Sequence, residues 1–112
     1  MKSYLRADKV GKTIQRRVSE IVQNEVRDPR FEMVTVTGVD VSPDLSVAQI
    51  YYITGGGEKN RQEARAGFQS AAGFIKKTLA ANIRLKYMPE IRFCYDESID
   101  YGERIDRLLE KL

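Results

Sequence analysis

The stretch VTVTGVDVSPDLSVAQIYYI, residues 34–53, decides the fold because it carries the pattern of a complete β-hairpin. In its first part valines alternate with threonines, which is typical of a strand with one buried face. After Gly38 the apolar positions slip by one residue, and a glycine at such a slip predicts a β-bulge. The turn residues SPDLS lead into a second strand, residues 47–53, rich in β-branched and aromatic residues. We therefore predict an antiparallel hairpin with one face covered by helices.

A helix is predicted before the hairpin, from about Asp8 to Val26. Its apolar residues recur at helical spacing and form one face. They are Val10, Ile14, Val18, Ile21, Val22 and Val26. The helix should end in RDPR, because Pro29 disfavours a helical conformation at Asp28.

A second helical pattern follows the glycine-rich loop TGGGEKN and covers residues 58–83. Its apolar stripe consists of Ala64, Phe68, Ala71, Ala72, Ile75, Leu79 and Ile83. Gly73 lies outside this stripe, although glycine inside a helix costs about 1 kcal/mol relative to alanine. Its position favours a bend, or the approach of an external group, over tight packing in the core.

The remaining sequence predicts a third strand and a final helix. In PEIRFCYD, residues 89–96, alternate side chains are apolar. Ser98 or Asp100 can cap the final helix, whose predicted buried face consists of Ile105, Leu108, Leu109 and Leu112. The order is α-β-β-α-α-β-α, which predicts an α+β fold with a three-stranded sheet and helices packed on one face.

Composition narrows the functional classes. The chain has 112 residues, of which 42% are hydrophobic and 31% charged, as expected for one globular domain. No apolar run approaches the roughly 20 residues needed to span a bilayer, and a single cysteine cannot form an internal disulfide. We expect a cytoplasmic protein with no membrane contact. The absence of histidine excludes Ser-His-Asp and Cys-His catalysis.

Three stretches carry a resemblance to a known family: EVRDPRF at the end of the first helix, the hairpin itself, and residues 71–109, AAGFIKKTLAANIRLKYMPEIRFCYDESIDYGERIDRLL. Together they make the chain similar to the bacterial ribosome-binding factor A family over nearly its whole length. The resemblance implies one type-II KH-like, ribosome-binding domain over residues 1–112. In that family a helix kinked at Ala-x-Gly replaces the RNA-clamping GxxG loop of KH domains. Ala71, Ala72 and Gly73 match that kink.

The resemblance also implies a function. Members bind the immature 30S ribosomal subunit and 16S ribosomal RNA, and they support late 16S rRNA processing and maturation, including adaptation to cold. A ribosome-assembly GTPase is implied as a further partner, and none of the members is known as an enzyme. We expect a monomer without cofactor or metal. Many members carry a C-terminal extension after the last helix, whose role is not carried over to a sequence that stops at Leu112.

Basic residues supply the predicted RNA contacts, because lysine and arginine bind phosphates with little dependence on sequence. The candidates are Lys9, Lys12, Arg16, Lys76, Lys77, Arg84 and Lys86. The alternative for each is an ordinary solvated helix face. Arg61 and Arg65 are weaker candidates, because Glu58 and Glu63 mix the charge of their turns.

Other candidate groups favour a structural role. The aromatic side chains that could stack on bases, Tyr51, Tyr52, Tyr87 and Tyr95, are expected mainly in the sheet or core. The carboxylates Asp96, Glu97 and Asp100 suit a helix start better than a magnesium site. Cys94 lacks an activating base and is predicted to be a half-buried structural thiol.

Two other functional classes remain as alternatives. The first is a protein-interaction or dimerisation module that uses an exposed sheet edge. The second is a small carboxylate- or magnesium-dependent enzyme acting on RNA. Steep weakening of binding at high salt distinguishes the predicted RNA interface from a largely apolar one.

Overall fold

The computed structural model describes residues 2–98, with side chains from Tyr4 onward. Its elements are α1 (Lys2–Glu20), a π turn (Ile21–Glu25), a 3-10 turn (Pro29–Phe31), β1 (Val34–Val41), β2 (Val47–Thr54), α2 (Glu58–Asn82) and β3 (Glu90–Tyr95). This arrangement confirms the predicted α+β class, with two long helices and a three-stranded sheet. Glu97 and Ser98 are helical, and the rest of the predicted final helix, with Asp100, lies outside the described residues.

The sheet has the order β1-β2-β3. β1 and β2 are antiparallel, and their register shifts between Val36 and Gly38, which confirms the hairpin and the bulge. β3 joins β2 in parallel, with Val47 opposite Glu90. A parallel neighbour requires a long crossover connection, and α2 provides it.

The first helix confirms the predicted apolar face. Ile14, Val18, Ile21 and Val22 are buried. The helix begins six residues earlier than predicted, at Lys2. At the start of α1, small residues rather than branched ones pack against the rest of the domain.

Ala7 is buried, and a Cβ atom on Gly11 would lie 3.1 Å from the carbonyl oxygen of Val39. The hydrophobic pattern therefore underestimates how far the helix follows the sheet.

The end of the first helix contains a feature that the sequence did not reveal. Val26 N–H donates to the carbonyl oxygen of Ile21 over 2.9 Å, which closes a π turn. Asp28 is then extended, at φ −120° and ψ 119°, as expected for a residue before proline. Its carboxylate accepts a hydrogen bond from the backbone N–H of Arg30 and begins the 3-10 turn.

The second helix runs without interruption through Ala71, Ala72 and Gly73. This corrects the predicted division into two helical segments. Buried residues on both sides of Gly73, Phe68 and Ile75 among them, anchor one continuous helix to the core. A bend of the helix axis at this position stays a prediction.

The core lies between the helices and one sheet face, and Phe68 of α2 is at its centre. Its ring centroid is 4.6 Å from that of Phe31, 4.4 Å from that of Tyr52 and 4.7 Å from that of Phe93. These contacts tie α2, the 3-10 turn, β2 and β3 together.

One end of the domain, which we call the hairpin end, contains the turn between β1 and β2. The start of β3 is also here, because Glu90 N–H donates to the Ser46 carbonyl oxygen over 2.8 Å. α2 begins just after β2 and packs along the sheet, so its last turns also reach the hairpin end. The first half of α1 lies at this end too, through the contact of Gly11 with Val39 and Val41.

Candidate nucleic-acid interface

The seven predicted RNA-binding residues are all exposed. Lys9, Lys12 and Arg16 lie on α1, Lys76 and Lys77 in the second half of α2, and Arg84 and Lys86 in the connection 83–89. We call these seven residues the basic surface. Both helices cover the same sheet face, and most of these positions lie toward the hairpin end. The fold thus places two groups that are some 60 residues apart in sequence on the same side of the sheet.

The α2 part of the basic surface is free of acidic residues. No aspartate or glutamate occurs between Glu63 and Glu90, whereas this span contains Arg65, Lys76, Lys77, Arg84 and Lys86. The α1 part is mixed, because Asp8 and Glu20 are exposed on the same helix. We therefore place the centre of the positive potential on α2 and the connection that follows it.

The ion pairs found in residues 4–98 use other cations. Arg17 pairs with Glu20 and Glu25, Arg30 with Asp28, Arg61 with Glu97 and Arg92 with Glu90. Within that part of the chain, no residue of the basic surface takes part in an ion pair. Their charges are therefore available to an anionic partner.

Two of these ion pairs shift the pKa of one of their members. The hydrogen bonds from Arg30 hold the pKa of Asp28 below its ordinary value. The hydrogen bond to Glu25 raises the pKa of Arg17 above its already high value. Both effects lie near the far end of α1, away from the hairpin end, so they stabilise the chain reversal after α1 rather than the basic surface.

The three predicted kink residues have different environments. Ala71 packs against the core, and Ala72 is half-buried. Gly73 is exposed, and a Cβ atom placed there would meet nothing within 4 Å. Core packing therefore does not require this glycine, as its position in the sequence indicated.

The four candidate tyrosines differ in their exposure and in their contacts. Tyr52 is buried, and burial raises the pKa of its hydroxyl. Tyr51 donates to Gln49 Oε1 over 2.7 Å, and the Arg61 guanidinium lies 4.0 Å from the centroid of the Tyr95 ring. Tyr87 is 77% exposed and lies outside the sheet, which corrects the expectation of a sheet or core position for this residue.

Sequence reasoning missed Phe74, which is 50% exposed on α2. A bulky aromatic outside the apolar stripe was the signal that could have identified it.

The acidic residues after β3 begin a helix, as interpreted from the sequence. The carboxylate of Asp96 accepts hydrogen bonds from the backbone N–H and the hydroxyl of Ser98. The capping acceptor is therefore Asp96, where Ser98 or Asp100 was expected. Glu97 pairs with Arg61. Among residues 2–98, no group of three or more histidine, cysteine or acidic side chains could hold a metal ion.

Cys94 is half-buried on β3, as predicted. It pairs in register with Tyr51, which lies on the sheet face opposite the core. No helix in the described part of the chain is long and apolar enough to cross a membrane.

These features define a class: a small α+β protein whose two helices cover one sheet face and present an exposed basic surface. A family model described as Ribosome-binding factor A matches residues 6–109. The chain belongs to the ribosome-binding factor A family.

Relatives share the family over the full chain. A ribosome-binding factor A from Desulfosudis oleivorans is 54% identical over 112 residues, which are 100% of this chain and 87% of the relative. One from Streptococcus pneumoniae is 44% identical over 113 residues, covering 100% of this chain and 97% of the relative.

Solved structures agree on the fold. The solution structure of a Thermotoga maritima ribosome binding factor A has a TM-score of 0.68 at 33% identity, covering 77% of this chain and 82% of that one. The crystal structure from Thermus thermophilus has a TM-score of 0.72 at 24% identity, covering 82% and 97%. A Thermus thermophilus homology model fitted into a cryo-EM map of a 30S complex has a TM-score of 0.65 at 25% identity, covering 79% and 92%.

Proposed function

We propose that this protein is a ribosome assembly factor that binds the immature 30S subunit through its basic surface. The observation that carries the proposal is the span between Glu63 and Glu90, whose charged residues are all basic and all exposed. Family membership supports it, and so does the similarity to the Thermus thermophilus protein fitted into a map of a 30S complex.

The proposed mechanism is preferential binding of one conformation of 16S ribosomal RNA. Lysine and arginine contacts with phosphates supply affinity and release bound counterions. The shape of the helical side then selects an RNA conformation, and binding shifts the RNA toward it. No covalent step is involved, and Lys76 and Lys77 make the central phosphate contacts.

We extend the proposal to the role of the complex in the cell. Binding supports late 16S rRNA processing and growth in the cold, and a ribosome-assembly GTPase participates in release. The protein acts in the cytoplasm as a monomer, and residues 1–112 form one KH-like domain. It performs no catalysis.

Co-sedimentation with purified 30S and 50S particles at two salt concentrations tests the proposal. We expect association with 30S particles that weakens steeply as salt rises, because each phosphate contact releases counterion. Equal association with both particles would contradict the proposal.

One competing function has a structural basis. β1 and β3 are the two edges of the sheet, and an edge can recruit a strand from a partner. Binding through such an edge would depend weakly on salt and would survive charge reversal on α2. The same sedimentation series therefore distinguishes it from the RNA interface.

A further inference from the structure

Two exposed aromatic side chains lie beside the acid-free part of the basic surface. Phe74 is 50% exposed on α2, and Tyr87 is 77% exposed in the connection 83–89. A large exposed hydrophobic residue by itself needs no explanation. Here both lie between Glu63 and Glu90, where the neighbouring charged side chains are all basic.

On its helix, Phe74 lies beside a lysine and beside a glycine with unoccupied space around it. Residues three apart on a helix are adjacent, so Phe74 lies next to Lys77, and Gly73 next to Lys76. At Gly73 nothing occupies the space within 4 Å of a Cβ position. The helix surface at Gly73, next to Phe74 in the chain, is therefore open to a sugar-phosphate segment.

Tyr87 has a similar setting. The ammonium group of Lys86 lies over one face of the Tyr87 ring, 5.6 Å from its centroid. The opposite ring face can accept a base. Arg84, which is exposed in the same connection, can contact a neighbouring phosphate.

Aromatic rings interleaved with cations are the usual means of binding unpaired nucleotides, whose bases stack on the rings while lysines contact the phosphates. A double helix offers phosphates but keeps its bases stacked inside. From this arrangement we infer that Phe74 and Tyr87 are stacking platforms for unpaired nucleotides of the bound RNA. This inference rests on the proposed function and specifies the RNA class that the basic surface takes.

Substitutions that keep apolar volume but remove the aromatic face test the inference. We expect Phe74→Leu and Tyr87→Leu each to weaken 30S binding about tenfold, with an unchanged salt slope, because a stacked base is lost and no phosphate contact is. The control is Met33→Ala, which truncates a side chain of similar exposure (54%) at the other end of the domain. We expect this variant to bind as the unmodified protein does.

A fluorescence measurement gives the positive readout. The chain has no tryptophan, so Phe74→Trp introduces a single reporter that retains an aromatic face. We expect this variant to bind 30S particles as tightly as the unmodified protein. With RNA oligonucleotides, which do not contain tryptophan, we expect its fluorescence to be quenched by stacking. A single-stranded oligonucleotide should quench it more strongly than a duplex of the same length.

The outcomes separate the inference from the proposed function. If Phe74→Leu and Tyr87→Leu bind normally while Lys76→Glu weakens binding, stacking is contradicted and the proposed function stands. If Phe74→Leu weakens binding but the tryptophan is not quenched, Phe74 contacts a protein surface, and stacking is again contradicted. If the unmodified protein shows no preference for 30S particles, the proposed function fails and the inference fails with it.

Discussion

The ring of Phe31 lies 3.1 Å from the position that a Cβ atom on Gly67 would occupy. Phe31 is itself buried and in contact with Phe68. α2 can therefore approach the 3-10 turn this closely because residue 67 is a glycine, which has no side chain. Gly73, six residues later on the same helix, has no such neighbour.

Gly67→Ala should lower the free energy of unfolding by about 1 kcal/mol. Displacing a buried ring typically costs about 1–3 kcal/mol, while replacing glycine with alanine inside a helix gains about 1 kcal/mol. Urea unfolding followed by circular dichroism measures the difference. An increase in stability would show that the Phe31 ring moves aside easily.

Gly73→Ala should raise the free energy of unfolding by about 0.5–1 kcal/mol, because alanine is the better helix former and the space is open. The same urea experiment checks it, with Gly67→Ala as the matched comparison. If the more stable variant binds 30S particles less well, the glycine serves the interface. A loss of stability would indicate that the helix is bent at this position in solution.

Phe68→Ala should lower the free energy of unfolding by about 3–5 kcal/mol, because it removes a fully buried ring and leaves a cavity. Phe74→Ala on the exposed side of the same helix is the control and should change stability by no more than about 0.5 kcal/mol. Thermal and urea unfolding of both variants test the difference. Similar losses in the two variants would contradict the assignment of Phe68 to the centre of the core.

Asp28→Asn should reduce the dependence of stability on pH in acid. Because the hydrogen bonds from Arg30 lower the pKa of Asp28 in the folded protein, its carboxylate stabilises the fold above the ordinary pKa of about 3.9. This contribution disappears as pH falls through the lower, folded-state pKa. The stability difference between the unmodified protein and Asp28→Asn should therefore be constant near neutral pH and shrink below about pH 4.

Urea unfolding at a series of pH values measures this dependence. Asp40→Asn is the control, since Asp40 is exposed on β1. A difference between Asp28→Asn and the unmodified protein that stays constant down to pH 2 would contradict the role of the Arg30 contact.

Local patterns predicted most of the fold. The shift of apolar phase at Gly38 predicted the bulge, and the stripe from Ala64 to Leu79 predicted the buried face of α2. The early start of α1 was missed because a small residue, Ala7, is the one buried there. The π turn was missed because the helical spacing of apolar residues continues to Val26. The parallel pairing of β3 with β2 depends on tertiary packing, which the alternating pattern of a single strand does not specify.

The candidate site was also predictable only in part. Exposure of Lys76 and Lys77 follows from their position off the apolar stripe, and the structure agrees. That Lys9 and Lys12 lie at the same end as these residues required the path of both helices across the sheet. Phe74 was missed because helical periodicity identifies residues inside the apolar stripe, and Phe74 lies outside it.

The most direct test of the central claim is 30S affinity after charge reversal at Lys76 and Lys77. The double variant Lys76→Glu, Lys77→Glu is compared with Arg27→Glu, Lys59→Glu, which makes the same change in net charge at exposed positions away from the hairpin end. We predict that the first variant loses most of its affinity for 30S particles and that the log–log salt slope falls by about two, one for each lost phosphate contact. The control should keep nearly all of its affinity. Equal affinities in the two variants, with both folded by circular dichroism, would contradict binding through the basic surface.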